Sequence, residues 1–371
     1  MRDALRAIAR FLRDKVGWQG LGLAIGFAII AVASVVLYRL LRDIEPREVV
    51  DALKGSEPKN VVIAALLIAA AYLTLTFYDY FALRTIGRPE ISYRTAALAA
   101  FTSYSIGHNV GFSTFSGGAV RYRIYSPSGL NVIEVAKICF VAGLTFWLGN
   151  LAVLGLGLLI NPEAASAIDQ FPPPVNRGLG TAALAALVAY VIWVSLAPRH
   201  IGRGSWDVQL PSGGLTLVQI LIGIVDLGFC AAAMYVLMPA TPAIDFVALA
   251  VIFVSATLLG FASNSPGGLG VFDAAMLVGL MNFDKEDLLA SLLIFRLLYY
   301  IIPFALALAI VGIRESVLGL KPLLHGVDPS KFPAATAPLR SELAAHTKLA
   351  APHSGPASGR KDERGKKSKV V

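Results

Sequence analysis

The stretch SGGAVRYR at 116–123 places Gly117 and Gly118 just ahead of Arg121 and Arg123, which follow Gly118 by three and five residues. Backbone N–H groups at a glycine-rich turn opening a helix cradle anions. A guanidinium one turn away adds charge-assisted, bidentate contacts to phosphate. The chemistry on offer is recognition of a phosphate-bearing group. A plainer reading of the same residues stands beside it, in which the glycines permit close helix packing and the arginines snorkel to a membrane interface. Eleven Gly, Ser, Thr or Asn residues crowd positions 102–118, among them Asn109, a further polar contact, next to His108.

A second break, SNSPGGLGVFD at 263–273, brings Ser265, Pro266, Gly267 and Gly268 ahead of Asp273. Proline and glycine here end one helix and start another, and a carboxylate at the new start suits the helix dipole. Asp273 reads as a cap, and Ser265 as a hydrogen-bonding group for a polar ligand. Arg296 has Tyr299, Tyr300 and Pro303 at helical spacings and lies about nine residues into an apolar run. A cation that deep in hydrocarbon costs roughly 2.5–3.5 kcal/mol or more unless paired or wetted. It must face the bundle interior, toward a phosphate or an acid such as Asp226 or Asp79. Asp79, near a span end, reads as open to the interface. Asp226, deeper, either pairs or titrates, so Asp79, Asp226 and Asp273 are the candidates for coupling or pairing.

The elements that must hold these residues are membrane helices. Of 371 residues, 56% are hydrophobic and only 15% charged, whereas a soluble chain carries about a quarter charged residues. Spans are expected at 17–38, 60–83, 95–115, 138–160, 178–198, 215–238, 246–263 and 288–313, each near the ~20 residues that hydrocarbon requires. Residues 271–283 are too short to cross and read as a re-entrant half-helix. The expected fold is an all-α polytopic membrane protein of about eight transmembrane helices, in two parallel four-helix repeats with glycine-broken or re-entrant segments. Its parts are an interfacial amphipathic helix at 1–16, a first repeat at 17–160, a second at 161–320, and a disordered basic tail at 321–371.

The repeat rests on recurring markers. Gly117, Gly118, Gly129 and Leu130 match Gly267, Gly268, Gly279 and Leu280 at an offset of 150, and PEISY at 89–93 matches PAIDF at 242–246 at 153. Net charge is +8, concentrated in the two tails, which marks both termini as cytoplasmic and facing anionic headgroups. Nucleic acid is not an expected partner, since no folded basic domain accompanies the charge. Cys139 and Cys230 lie in apolar segments and read as core residues. Five scattered histidines offer no metal spacing, no phosphate-binding loop with its lysine occurs, and no nucleophile–base pair is visible. No cofactor and no catalytic group is expected.

FSGGAVRYRIYSPSGL, followed by EVAKICFVAGLTFWLGNLAVLGLGLL, resembles the transmembrane region of bacterial lysylphosphatidylglycerol synthase/flippase proteins and their stand-alone relatives. SNSPGGLGVFDAAML and LLIFRLLYYIIP are similar to that family's later motifs, so the resemblance spans roughly residues 20–315. It implies a bacterial inner-membrane protein that binds anionic phospholipid, or a related lipid-linked substrate, and moves it between leaflets. It maps the family's break onto Gly117, Gly118, Arg121 and Arg123, and its late motifs onto Pro266, Gly267, Gly268, Arg296 and Tyr300. The soluble synthase domain of bifunctional members is not expected in this chain. The alternative is a non-transporting accessory subunit for a lipid-modifying enzyme or a glycosyltransferase.

Overall fold

A computed structural model describes residues 54–110, 113–202 and 204–324. The expected interfacial helix at 1–16 and first span at 17–38 lie outside the described residues, as does nearly all of the 321–371 tail. Six described helices are long and apolar enough to cross a membrane, which makes this a helical, polytopic membrane protein.

The first described helix is α1 (Pro58–Thr85), whose first-turn proline needs no intrahelical donor. Helices α2 (Tyr93–Val110) and α3 (Ser113–Tyr125) then fold against one another. The sequence suggests one span at 95–115, and here the structure differs: two short helices form a hairpin instead. Next comes α4 (Val132–Ile160), entered through a capping box in which Asn131 accepts from the Glu134 N–H and Glu134 accepts from that of Asn131. Arg88, in the α1–α2 connection, donates to Glu134 at 2.7 Å and pins the start of this helix. A short α5 (Pro162–Asp169) leads to α6 (Pro173–Leu196). A two-stranded antiparallel ribbon, β1 (His200–Ile201) with β2 (Val208–Gln209), joins α6 to α7 (Gly213–Leu237).

The second hairpin is α8 (Phe246–Ser263), capped by Asp245, and α9 (Val271–Gly279), separated by a 3-10 turn at Pro266–Gly268. The half-helix expected at 271–283 is α9. Finally α10 (Lys285–Arg296), capped by Asp284, passes through a widened π turn at Leu297–Ile301 into α11 (Ile302–Leu324).

Helices α1, α4, α7 and α8 form the centre, and close approach between them is a matter of glycine. A Cβ on Gly149 of α4 would sit 2.6 Å from the Cα of Gly223 on α7, so the two backbones touch. Without a hydrophobic drive between helices in lipid, such contact is what holds a bundle together. Leu66, Leu73, Ile192, Leu196, Leu221 and Leu306 stay exposed and apolar; in a membrane that surface faces acyl chains.

Candidate functional site

Each hairpin carries one buried charged side chain on its second arm, and each is answered from a neighbouring helix. Arg121 on α3 grips Asp79 on α1: Nε donates at 3.0 and 3.1 Å to the two carboxylate oxygens and Nη2 at 2.8 Å. The Tyr125 hydroxyl adds a fourth contact at 2.9 Å. Asp79 is fully buried and Arg121 is 5% exposed. The expected opening of Asp79 to the interface is therefore corrected, because Arg121 and Tyr125 compensate its charge inside the bundle. On the other side, Asp273 of α9 takes Arg296 of α10, Nε at 2.8 Å and Nη2 at 2.6 Å. Asp273 also accepts the Gly270 N–H at 3.1 Å, so it caps α9 while pairing. The partner of Arg296 is thus neither Asp226 nor Asp79.

Gly117 and Gly118 lie inside α3 rather than in a turn that opens it. This corrects the anion cradle expected there. A Cβ on Gly117 would meet the Ser103 carbonyl oxygen at 3.1 Å, so its bareness serves the closeness of α2 and α3. The second break is a true turn: Gly267, Gly268 and Gly270 have φ of 62°, 62° and 79°, a region that only glycine enters freely. The Gly267 carbonyl accepts from Arg296 Nη1 at 3.1 Å. Arg123 is exposed, and its backbone carbonyl accepts from Arg314 at 3.4 Å.

The hairpins converge. Helix α2 packs on the Pro266–Gly268 turn, and Asn109 Nδ2 donates both to the Ser105 carbonyl at 2.8 Å and across to the Tyr300 carbonyl at 3.1 Å. Tyr72 of α1 donates to the neighbouring Tyr299 carbonyl at 2.9 Å. The π turn thereby offers two successive carbonyls to side chains from two other helices, and π distortions often mark functional sites.

At this junction is a cavity of about 90 Å³, open on one side, lined by residues of α1, α2, α4, α7, both arms of the second hairpin and the π turn. That is room for several waters. Of the expected residues, Asp226, Ser265, Gly268 and Tyr300 line it, together with His108. Arg121, Arg123 and Arg296 do not. Arg121 lies 4.7 Å from the Tyr104 ring and Arg296 5.6 Å from the Tyr300 ring, and both rings line the space. The lining is dominated by rings, with Tyr104, Phe146, Phe261, Phe272, Tyr299 and Tyr300 among them. Sequence reasoning missed Tyr104 and Phe261 in this lining, since aromatic residues in apolar helices carry no spacing signal for a shared cavity.

The charge balance is uneven. Among the described residues the buried charged side chains are Asp79, Asp226, Asp273, Arg121 and Arg296. Two pairs account for four of them. Asp226, 5% exposed, accepts from the Tyr78 hydroxyl at 3.1 Å through Oδ2, while its Oδ1 has no hydrogen-bond partner. Among the described residues the lining contains no lysine and no arginine.

Comparison with known proteins gives this geometry a context. The sequence profile of the lysylphosphatidylglycerol synthase transmembrane region matches residues 22–307. An uncharacterized Synechocystis protein, slr0712, is 27% identical over 293 residues, covering 79% of this chain and 91% of its own. The inner membrane protein YbhN of Escherichia coli is 29% identical over 298 residues, covering 78% and 90%. A phosphatidylglycerol lysyltransferase of Staphylococcus aureus is 24% identical over 316 residues, which are 82% of this chain but only 36% of that enzyme.

Proposed function

Because the chain belongs to the lysylphosphatidylglycerol synthase transmembrane-region family, we propose that it takes phospholipid headgroups into the cavity between its two hairpins and passes them between leaflets. The observation that carries this is the cavity itself: half-open, at the meeting of two broken helices, with polar groups on an otherwise aromatic wall. Acyl chains would remain in the bilayer while the headgroup exchanges water for protein. The headgroup we favour bears an amine. One carboxylate and many ring faces suit an ammonium, whereas a purely anionic headgroup, expected from the arginines, meets no cation on the wall. The lysyltransferase relative is named for making a lipid of that kind, since a lysyl ester carries ammonium groups.

Two repeats of four elements, three spans and a hairpin each, fit this reading. Helices α2 and α8 are both 18 residues long and start 153 positions apart. Ser92 and Asp245 receive the first free N–H groups of those helices, and Asn131 and Asp284 do the same for α4 and α10, again 153 apart. With 17–38 as a further span, each repeat is three crossings and one hairpin that returns the chain to the face it left, and six crossings put both termini on one side, the cytoplasmic face of the inner membrane. Transporters built from repeats hold substrate where discontinuous helices meet. Nothing in this reading requires bond-making chemistry by the chain.

Reconstitution tests it. Liposomes holding the purified protein should exchange fluorescent phosphatidylethanolamine between leaflets faster than protein-free liposomes, and faster than they exchange phosphatidylglycerol. Thr257→Trp, which fills the cavity from α8, should return the rate toward background. Exchange no faster than in empty liposomes would defeat the proposal.

A further inference from the structure

Among the described residues three buried acids face two buried guanidinium groups, and the unmatched acid is the one in the cavity. Asp79 and Asp273 are each held by an arginine fork. Asp226 has only a neutral hydroxyl on one oxygen and nothing on the other. A bare carboxylate in a bundle surrounded by lipid is costly without a cation or a proton.

The groups around it supply neither. Helix α1 presents the Tyr72 and Tyr78 hydroxyls, α2 presents Tyr104 and His108, α7 itself presents Cys230, and the π turn presents Tyr299 and Tyr300. The guanidinium groups beside Tyr104 and Tyr300, those of Arg121 and Arg296, are already committed to their own aspartates. His108 stacks against Tyr299 at 6.2 Å between ring centres and has no hydrogen bond to Asp226 among the described residues.

We propose that Asp226 is an exchange site, holding a proton when the cavity is empty and a headgroup ammonium when it is loaded. On loading, the carboxyl O–H bond breaks, its proton leaves through cavity water, and the freed carboxylate accepts N–H donors from the ammonium. One positive charge enters for each that leaves, so neither state strands a bare carboxylate in the bundle. Lipid movement through the cavity is then linked to proton movement, one for one. This rests on the amine-headgroup reading above and adds the coupling to it.

The test uses the purified full chain in detergent, with dihexanoyl phosphatidylethanolamine as probe and dihexanoyl phosphatidylglycerol as comparison. Wild type should release one proton per ethanolamine lipid bound in weakly buffered solution. Its Kd should rise about tenfold per unit of pH lost wherever Asp226 is protonated. Asp226→Asn should release none and lose the pH dependence. An infrared difference spectrum should show a protonated carboxyl C=O band that disappears on lipid addition in wild type and is missing from the variant, which keeps the result interpretable if the variant binds weakly. Tight binding of the amine lipid without proton release, or release that persists in Asp226→Asn, overturns the exchange while leaving lipid binding intact. Absence of binding by either lipid at every pH defeats both readings.

Discussion

The Arg121–Asp79 pair should behave as a unit whose halves are far more damaging to remove than the whole. Asp79 is fully buried and takes four donor contacts, three from Arg121 and one from the Tyr125 hydroxyl. Removing one partner of a buried pair strands a charge and costs about 3–5 kcal/mol. Arg121→Met leaves Asp79 with the Tyr125 donor, so its loss should fall at the lower end. Asp79→Leu leaves a guanidinium with the weak acceptor Cys139 Sγ at 4.0 Å and the Tyr104 ring 4.7 Å away, and its loss should reach the upper end. The double variant, Leu facing Met, removes both desolvation penalties and should lie within about 2 kcal/mol of wild type. Unfolding in mixed micelles, followed by tryptophan fluorescence, measures all four corners of this cycle. Single losses below about 1 kcal/mol, or a double loss equal to the sum of the singles, would refute the reasoning and place the pair in contact with water or lipid headgroups.

Two other substitutions probe the backbone. Gly149→Ala drives a methyl against Gly223 of α7 and should cost about 1–3 kcal/mol, read as a lower thermal midpoint; Gly143→Ala on the same helix, with nothing within 4 Å, should change little. Gly268→Ala, at φ 62°, should lose about 1–2 kcal/mol from the left-handed penalty, again by thermal midpoint, and an unchanged midpoint would mean that the turn relaxes to another shape.

Composition and apolar run length were enough to determine a helical membrane protein, and they place spans close to α1, α4, α6, α7, α8 and α10–α11. Hydrophobicity along the chain is a local property, and length in a bilayer follows from it. The second break was also legible, since proline with three glycines admits few conformations at that depth. The first was not. The same glycine pair, in SGGAV and in PGGLG, becomes a helix interior and a left-handed turn respectively, because what lies across from each glycine decides its shape. Arg121 and Arg296 stood out as expensive cations, but their partners lie 42 and 23 residues away, on other helices. Only packing could match two of three acids to two bases and leave Asp226 alone beside an aromatic hollow, for charge pairing across a bundle depends on helix rotation and approach, which the linear order of residues does not encode.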